Sequence, residues 1–384
     1  MSIFWMELKK LFSWPIIGLI IVLNVLLYWL LIEFEITYFP NGRPWNDIFI
    51  IEQEMIEKYG EKIDEEEMDD FKFIYDERVK EANAFLQAYP LAVEKGITTY
   101  AQYQQSREVD APNVEEGDAL SSAILFDDKV DLFWELESRK GIIDNYEYRY
   151  QVFSSDEGYR SQKEQMRVEE MIANEKFQYY SNLVIRNFNL IASYVLTTIL
   201  FSLAVLLSPI FLRDKLKGIV PLQYTSAQGR NVFRIKWLVG FTALFLVTTM
   251  LLIIYSSIYW TNATYPYFSL PLFTMSYHIY WYDITFGQFI ILTIIAIYLL
   301  CFLFGAITMF FSAICTNYLI QVSSQILSIS AFILFVMPIC LELIISTKYL
   351  PWVVPIIYIV FIMIVLSIRK WIIHRENRRD ILIN

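Results

Sequence analysis

Enzyme chemistry needs nucleophiles, bases, metal ligands or phosphate-binding loops at particular spacings, and this sequence is short of all of them. His278 and His374 stand alone. Cys301, Cys315 and Cys340 lie in or beside apolar runs without a CxxC spacing, so no His- or Cys-based metal site is expected. No GxxxxGK[ST], HExxH, GxSxG or SxxK occurs. Acidic runs are present at Glu65-Glu66-Glu67 and Asp127-Asp128. Two facing carboxylates can act as general acid and base, but such runs read more simply as helix termini and solvated faces. The chain is expected to hold no catalytic residue, cofactor or metal of its own.

Two stretches still carry charge where charge must have a purpose. Glu342 lies in a long apolar run, four residues after Pro338. An ionisable group at membrane depth costs several kcal/mol and is a functional candidate by default. Pro338 and Glu342 therefore mark a candidate pathway or re-entrant element, although a carboxylate near the outer surface can also simply reach water. The other stretch is Arg213 to Lys236, RDKLKGIVPLQYTSAQGRNVFRIK, with six Lys/Arg, the single acid Asp214, and breaks at Gly218, Pro221 and Gly229. Basic and turn-rich between two apolar runs, it reads as a cytoplasmic loop. Such a loop can dock a partner that pushes on it, or can serve as a topology signal alone; the residues allow both.

The elements that hold these residues follow from composition. Of 384 residues 56% are hydrophobic and 17% aromatic, too apolar for an ordinary soluble domain, and several runs reach the ~20 residues that cross a bilayer as helix. The formal charge of −10 averages two opposite regions. Positions 33–185 carry 35 acids against 16 Lys/Arg, while the remainder carries 15 Lys/Arg against 6 acids. Because Lys and Arg stay on the cytoplasmic side, the basic part orients the chain.

Residues 1–14 place Ile3, Phe4, Leu8, Leu11 and Phe12 on one helical face and Glu7, Lys9 and Lys10 on another, as expected of an interfacial helix. Residues 1–33 thus comprise this helix and a first span, too long for a cleaved leader. Residues 34–185 form a mainly helical domain. Met68, Phe71, Ile74, Tyr75 and Val79 follow helical steps, as do Leu125, Val130, Phe133 and Leu136 more loosely. Ser154 and Glu157 predict a capping box opening a long helix through Met166, Met171 and Phe177 that continues into the next span. Asp110 to Asn113 and Gly141 predict turns.

Residues 186–384 hold five further spans at about 189–212, 237–260, 286–313, 318–337 and 352–368. Cys315-Thr316-Asn317 is the expected turn between the fourth and fifth. Pro338 should bend or end the fifth helix, leaving 339–345 as a short re-entrant piece. The connection from Thr261 to Thr285 has no Lys or Arg and many Tyr and Trp, as expected on the outer face at headgroup depth. Asn262-Ala263-Thr264 matches a glycosylation sequon, a short and weakly specific pattern. The expected fold is an all-α integral membrane protein: six transmembrane helices, an amino-terminal interfacial elbow helix and an extracytoplasmic helical domain, with both termini inside. Six spans without energy-coupling chemistry imply a driver on another chain.

At the 213–236 loop the sequence resembles the type-2 family of bacterial ATP-binding-cassette (ABC) exporter permeases. Asp214, Gly218, Thr225-Ser226, Gly229-Arg230 and Lys236 follow the family's order of an acid, a glycine, a Ser/Thr turn, a small residue with Arg, and Lys. Asp214 stands where Glu is usual and Ile219 where Thr commonly follows the glycine. MELKKLF followed at once by a span resembles the family's elbow helix, and the large domain after the first span matches one branch. The resemblance covers the membrane part, about 60% of the chain. It implies a permease subunit in the cell membrane, paired with an identical or sister permease subunit and driven by cytosolic ABC ATPase subunits that bind the ATP and magnesium. It also implies ATPase-coupling positions at Asp214, Lys217, Gly218, Arg230 and Lys236, with elbow positions Glu7, Lys9 and Lys10. The expected cargo is amphipathic or peptide-like (an antimicrobial peptide, drug or lipid-like compound) moved outward, with no role for nucleic acid. The alternative is a membrane-bound sensor whose external domain binds a ligand and signals through the loop.

Overall fold

The computed structural model describes residues 3–107, 114–151, 161–225, 229, 231–276 and 278–378. Among the described residues every regular element is helical, and the one β-contact is an isolated bridge between Tyr280 and Ser346. The chain divides into two units: the first comprises 1–37, 186–264 and 280–384, the second 38–185 and 265–279.

The first unit opens with α1 (Ile3–Leu11) and α2 (Trp14–Thr37). Ser13 is the extended residue between them, and Pro15 occupies the first turn of α2, where its missing N–H costs nothing. α2 widens into a π-helical turn at Tyr28–Ile32. Among the described residues six helices are long and apolar enough to cross a membrane: α2, the stretches Leu183–Leu216 and Asn231–Asn262, and Phe286–Ile314, Tyr318–Val336 and Val353–Arg378. In the last of these the buried residues are Val354, Ile372 and Glu376. An apolar helix exposed over most of its surface needs an apolar medium around it, which is compatible with a membrane protein.

The second of these stretches consists of α10 (Leu183–Leu207) and α11 (Pro209–Leu216). The chain bends at Ser208-Pro209, where the proline ring removes a helix donor. α12 (Val220–Thr225) leads to α13 (Asn231–Tyr259), α14 (Phe286–Ile314), α15 (Tyr318–Ala331) and α16 (Val353–Arg378). α14 opens on a Thr285/Gln288 capping box, and Asn317 Oδ1 accepts from Ile320 N at 2.9 Å to open α15. The expected turn at 315–317 is thus formed by its own cap. A Cβ at Gly240 would lie 2.3 Å from Met309 Sδ, and one at Gly305 2.2 Å from Leu244 Cδ1. These glycines let α13 and α14 approach closely.

Of the two outcomes expected at Pro338, a bend or an end, the end does not occur. The chain stays helical through it, with π-type turns at Phe332–Val336 and Pro338–Glu342. The wider turn moves the preceding carbonyls away from the ring, which removes the clash that would end an α-helix. Residues 339–345 are consequently the end of this helix and a turn, not a separate re-entrant helix.

The second unit contains α3 (Trp45–Tyr59), α4 (Glu65–Ala88), α5 (Pro90–Glu94), α6 (Tyr100–Ser106), α7 (Val114–Ser122), α8 (Asp131–Glu147) and α9 (Gln162–Ala173). Glu65-Glu66-Glu67 forms the first turn of α4 behind an Asp64/Glu67 capping box, where negative charge meets the positive helix end. Met68 and Phe71 are buried at the expected spacing. Phe133 and Leu136 share a core with Leu86, Tyr100, Tyr103 and Ile124.

Three local expectations are corrected. Gly141 is inside α8, because no neighbour opposes helix there and the sequence on both sides is helix-forming. Leu125 lies in a π turn (Ala123–Asp127) and Lys129 has φ +53°, so the helix breaks before Phe133. The helix expected to run through Phe177 ends at Ala173. Asn174 Nδ2 takes the Glu170 carbonyl at 2.7 Å and Glu175 turns left-handed, so the chain reaches α10 through a non-helical stretch. Ser154, Glu157 and Asp110–Asn113 lie outside the described residues.

Candidate functional site

Three buried charged side chains of the first unit are gathered where α1, α11 and the start of α13 meet. Lys236 Nζ is 2.5 Å from Asp214 Oδ2 and 4.0 Å from Glu7 Oε2. The side chains of Lys236, Asp214 and Glu7 are 3%, 6% and 9% exposed. So little solvent makes each charge dependent on the others, because an unpaired ion at such depth costs several kcal/mol. Glu7 also pairs with Lys10, Arg213 Nη1 donates to the Lys10 carbonyl at 3.3 Å, and Gln223 Nε2 donates to Asp214 Oδ2 at 2.6 Å. Asp214 therefore joins three elements: it sits on α11, pairs with α13 and accepts from α12.

Local sequence fixes this geometry. α11 closes in a Schellman motif: Ile219 N donates to the Asp214 carbonyl at 3.0 Å, and Gly218 N to the Lys215 carbonyl at 3.1 Å. Gly218 has φ +65°, the left-handed residue such a stop requires. At the other end of α11, Ser312 Oγ of α14 accepts from Phe211 N and Leu212 N at 3.1 and 3.2 Å, which satisfies donors that a helix start leaves open. Lys215 Nζ donates to the Cys315 carbonyl at 2.9 Å, a cation at the carboxyl end of α14. Tyr224 of α12 donates to the buried carboxylate of Glu376 on α16.

No family model, curated protein or solved structure matches the chain. The geometry of the cluster is therefore what bears on its use.

Of the expected positions, Asp214, Lys236, Glu7 and Lys10 come together. Lys9 and Lys217 are exposed, and Gly218 is an exposed turn beside Lys217. Arg230 lies outside the described residues, as does Ser226. Pro338 and Glu342 are elsewhere: Glu342 is exposed and accepts from Ser193 Oγ of α10 at 3.1 Å. Gln223, Ser312 and Glu376 have no signal in the sequence; only the basic character of the loop and the lone acid within it hint that Asp214 must be compensated.

Two asparagine nodes were equally unmarked. Asn24 donates to Ser202 Oγ at 2.7 Å and accepts from Tyr255 OH at 3.0 Å, joining α2, α10 and α13. Asn262 donates to Asn187 Oδ1 and to the Glu35 carbonyl at 3.0 and 3.2 Å. Its amide is buried in this node, so the sequon it opens is not presented for modification. In the second unit, helices and the 265–279 segment enclose a cavity of about 410 Å³.

Proposed function

We propose that this chain is the membrane-spanning permease subunit of an ABC exporter, driven by a separate cytosolic ATPase. The observation that carries the reading is the Glu7–Lys236–Asp214 cluster. It ties the amino-terminal helix, the basic loop and the start of α13 into one body, so force applied to the loop is passed to helices long enough to cross the bilayer. A surface salt bridge would yield to such a push; a desolvated pair resists it. The Schellman turn leaves Lys217 and Gly218 exposed as a rigid corner on which a partner can dock.

In this reading α1 is the interfacial elbow, the termini and the loop are cytoplasmic, and the second unit is extracytoplasmic in a bacterial cell membrane. Two permease subunits, identical or sister, enclose the pathway. The cargo is an amphipathic or peptide-like compound, in keeping with the aromatic content of the outer regions. The ATP and magnesium belong to the partner ATPase.

Gentle solubilisation of tagged protein from its native membrane, followed by mass spectrometry, tests the reading. A P-loop ATPase should co-purify in stoichiometric amount and be lost on Lys217→Glu. Absence of any ATPase in several mild detergents would remove the exporter. The cavity in the second unit favours a second reading, a sensor that binds a ligand there and signals through the loop; Lys217→Glu would then leave ligand binding intact and abolish output alone.

A further inference from the structure

The cavity of about 410 Å³ in the second unit falls within the ~300–1,000 Å³ of small-molecule sites. Its wall mixes apolar bulk from Trp45, Ile48, Ile142 and Phe273 with a few polar groups. Those polar groups are unusual in what they lack. Gln178 Nε2 donates to the Tyr180 carbonyl at 2.8 Å, which fixes the amide orientation and leaves Oε1 as a pure acceptor. That oxygen is buried with no hydrogen-bond partner, and so is Ser138 Oγ, whose residue is 3% exposed. Orphaned buried polar atoms are rare because each costs about 1–3 kcal/mol.

Glu52 lines the same cavity and is 1% exposed. Its carboxylate accepts from Ser181 N, from Ser181 Oγ at 3.2 Å and from Tyr267 OH at 3.1 Å. Among the described residues no Lys, Arg or His pairs with it. Arg149 also lines the cavity and is held on aromatic faces: its guanidinium lies 3.9 Å from the Tyr146 ring centroid and donates to the Tyr146 carbonyl at 2.7 Å. The other ionisable lining residues are a second acid, Glu137, which pairs with Arg107, and His278.

An acceptor without a donor, a hydroxyl without a partner and a buried carboxyl group without a cation share one complement. The geometry points to a binding site for a small amine: a molecule with an aromatic or aliphatic body and one ammonium group. The ammonium donates to Gln178 Oε1 and Ser138 Oγ and supplies the cation beside which Glu52 can ionise, while its body covers the Trp45 and Phe273 faces. A carboxylate-bearing ligand brings only acceptors and would leave Gln178 Oε1 unsatisfied. The inference rests on the cavity alone and stands whether or not the chain drives export.

The test uses the full chain in phosphatidylcholine nanodiscs, titrated calorimetrically with 4-phenylbutylamine, 4-phenylbutanol and 4-phenylbutyrate, with empty nanodiscs subtracted. The amine should bind saturably at one site, the alcohol about tenfold more weakly and the carboxylate not at all. Gln178→Leu, which keeps the bulk and removes the acceptor, should weaken the amine about tenfold, and Glu52→Gln at least as much. Gln178→Leu carries the test if Glu52→Gln fails to fold. Tighter binding of the carboxylate, lost on Arg149→Gln, would overturn the assignment in favour of an anion site. It would equally fall if no probe bound the folded protein, or if amine binding ignored both cavity variants.

Discussion

Lys236 is a lysine placed where a lysine should not be stable, and its neighbours explain why it is. With Asp214 at 2.5 Å and Glu7 at 4.0 Å, removing the ammonium strands two carboxylates in a desolvated space. Lys236→Met should therefore destabilise the first unit by about 3–5 kcal/mol. Asp214→Asn should also destabilise, and the double variant should lose less than the sum of the singles by about 1–3 kcal/mol. Thermal unfolding of the purified protein in detergent measures all three; strict additivity would show that the charges do not act together. Glu52 gives a second residue-scale prediction. Burial pushes its carboxyl from 4.5 up to about 7 against the opposing hydrogen bonds of Ser181 and Tyr267. The folded state then holds a proton that the unfolded state has released, so stability falls as pH rises from about 4.5 to about 7 and is level above that. The whole change is roughly 3 kcal/mol, and Glu52→Gln should flatten the slope in unfolding curves taken between those pH values.

At the scale of elements, two glycines of the second unit have opposite expected behaviour. Gly141 lies within α8, and an added Cβ would meet nothing within 4 Å. Ala there lowers the entropy of the unfolded chain and favours helix, so Gly141→Ala should stabilise by about 0.5–1 kcal/mol. Gly117 of α7 is different: a Cβ would sit 2.2 Å from the Ser106 carbonyl oxygen. Backbone cannot step aside, so Gly117→Ala should cost about 1–3 kcal/mol. Hydrogen exchange of α6 to α8 in the two variants reads both signs, slower exchange for the first and faster for the second. This contrast shows where the sequence is legible. The helix end at Glu65-Glu66-Glu67 and the turn at 315–317 are visible because their signals lie next to the helices they bound in the chain. Gly141 reads as a turn because glycine is a turn residue, yet the helix-forming residues on both sides carry the helix through it. The break at Asn174–Glu175 is hidden for the converse reason, since its left-handed residue is a glutamate.

For the whole molecule, the six apolar helices are legible because crossing a bilayer requires length and apolarity, and both are local properties. The candidate site is half legible. Asp214 stands out as the lone acid of a basic loop that ends at Lys236, but Glu7 joins them from more than 200 positions away, beyond the reach of any periodicity. The aromatic 265–279 segment hides its role in the same way: Tyr267, Leu270 and Met275 are buried in the second unit, and Tyr179 N and Tyr180 N both donate to the Thr274 carbonyl.

The proposed orientation makes the last prediction, and the cysteines make it clean to test. Cys301, Cys315 and Cys340 are all buried and free, so a membrane-impermeant maleimide should find little background on intact cells. Glu81 of α4 and Lys217 beside the α11 turn are both exposed, and each can be replaced by Cys without emptying a core. Lys and Arg are held on the cytoplasmic side of a membrane, and the 213–236 loop carries six of them, while the 33–185 stretch is strongly acidic. Glu81→Cys should therefore label in intact cells, and Lys217→Cys only after the membrane is permeabilised. The reverse pattern would invert the topology and place the loop beyond the reach of a cytosolic ATPase. Labelling of both sites from outside would show that the loop and the second unit share one face, which an odd number of crossings between them forbids. Either result would remove the exporter reading, because coupling through Lys217 and Gly218 requires that corner to face the compartment where ATP is held.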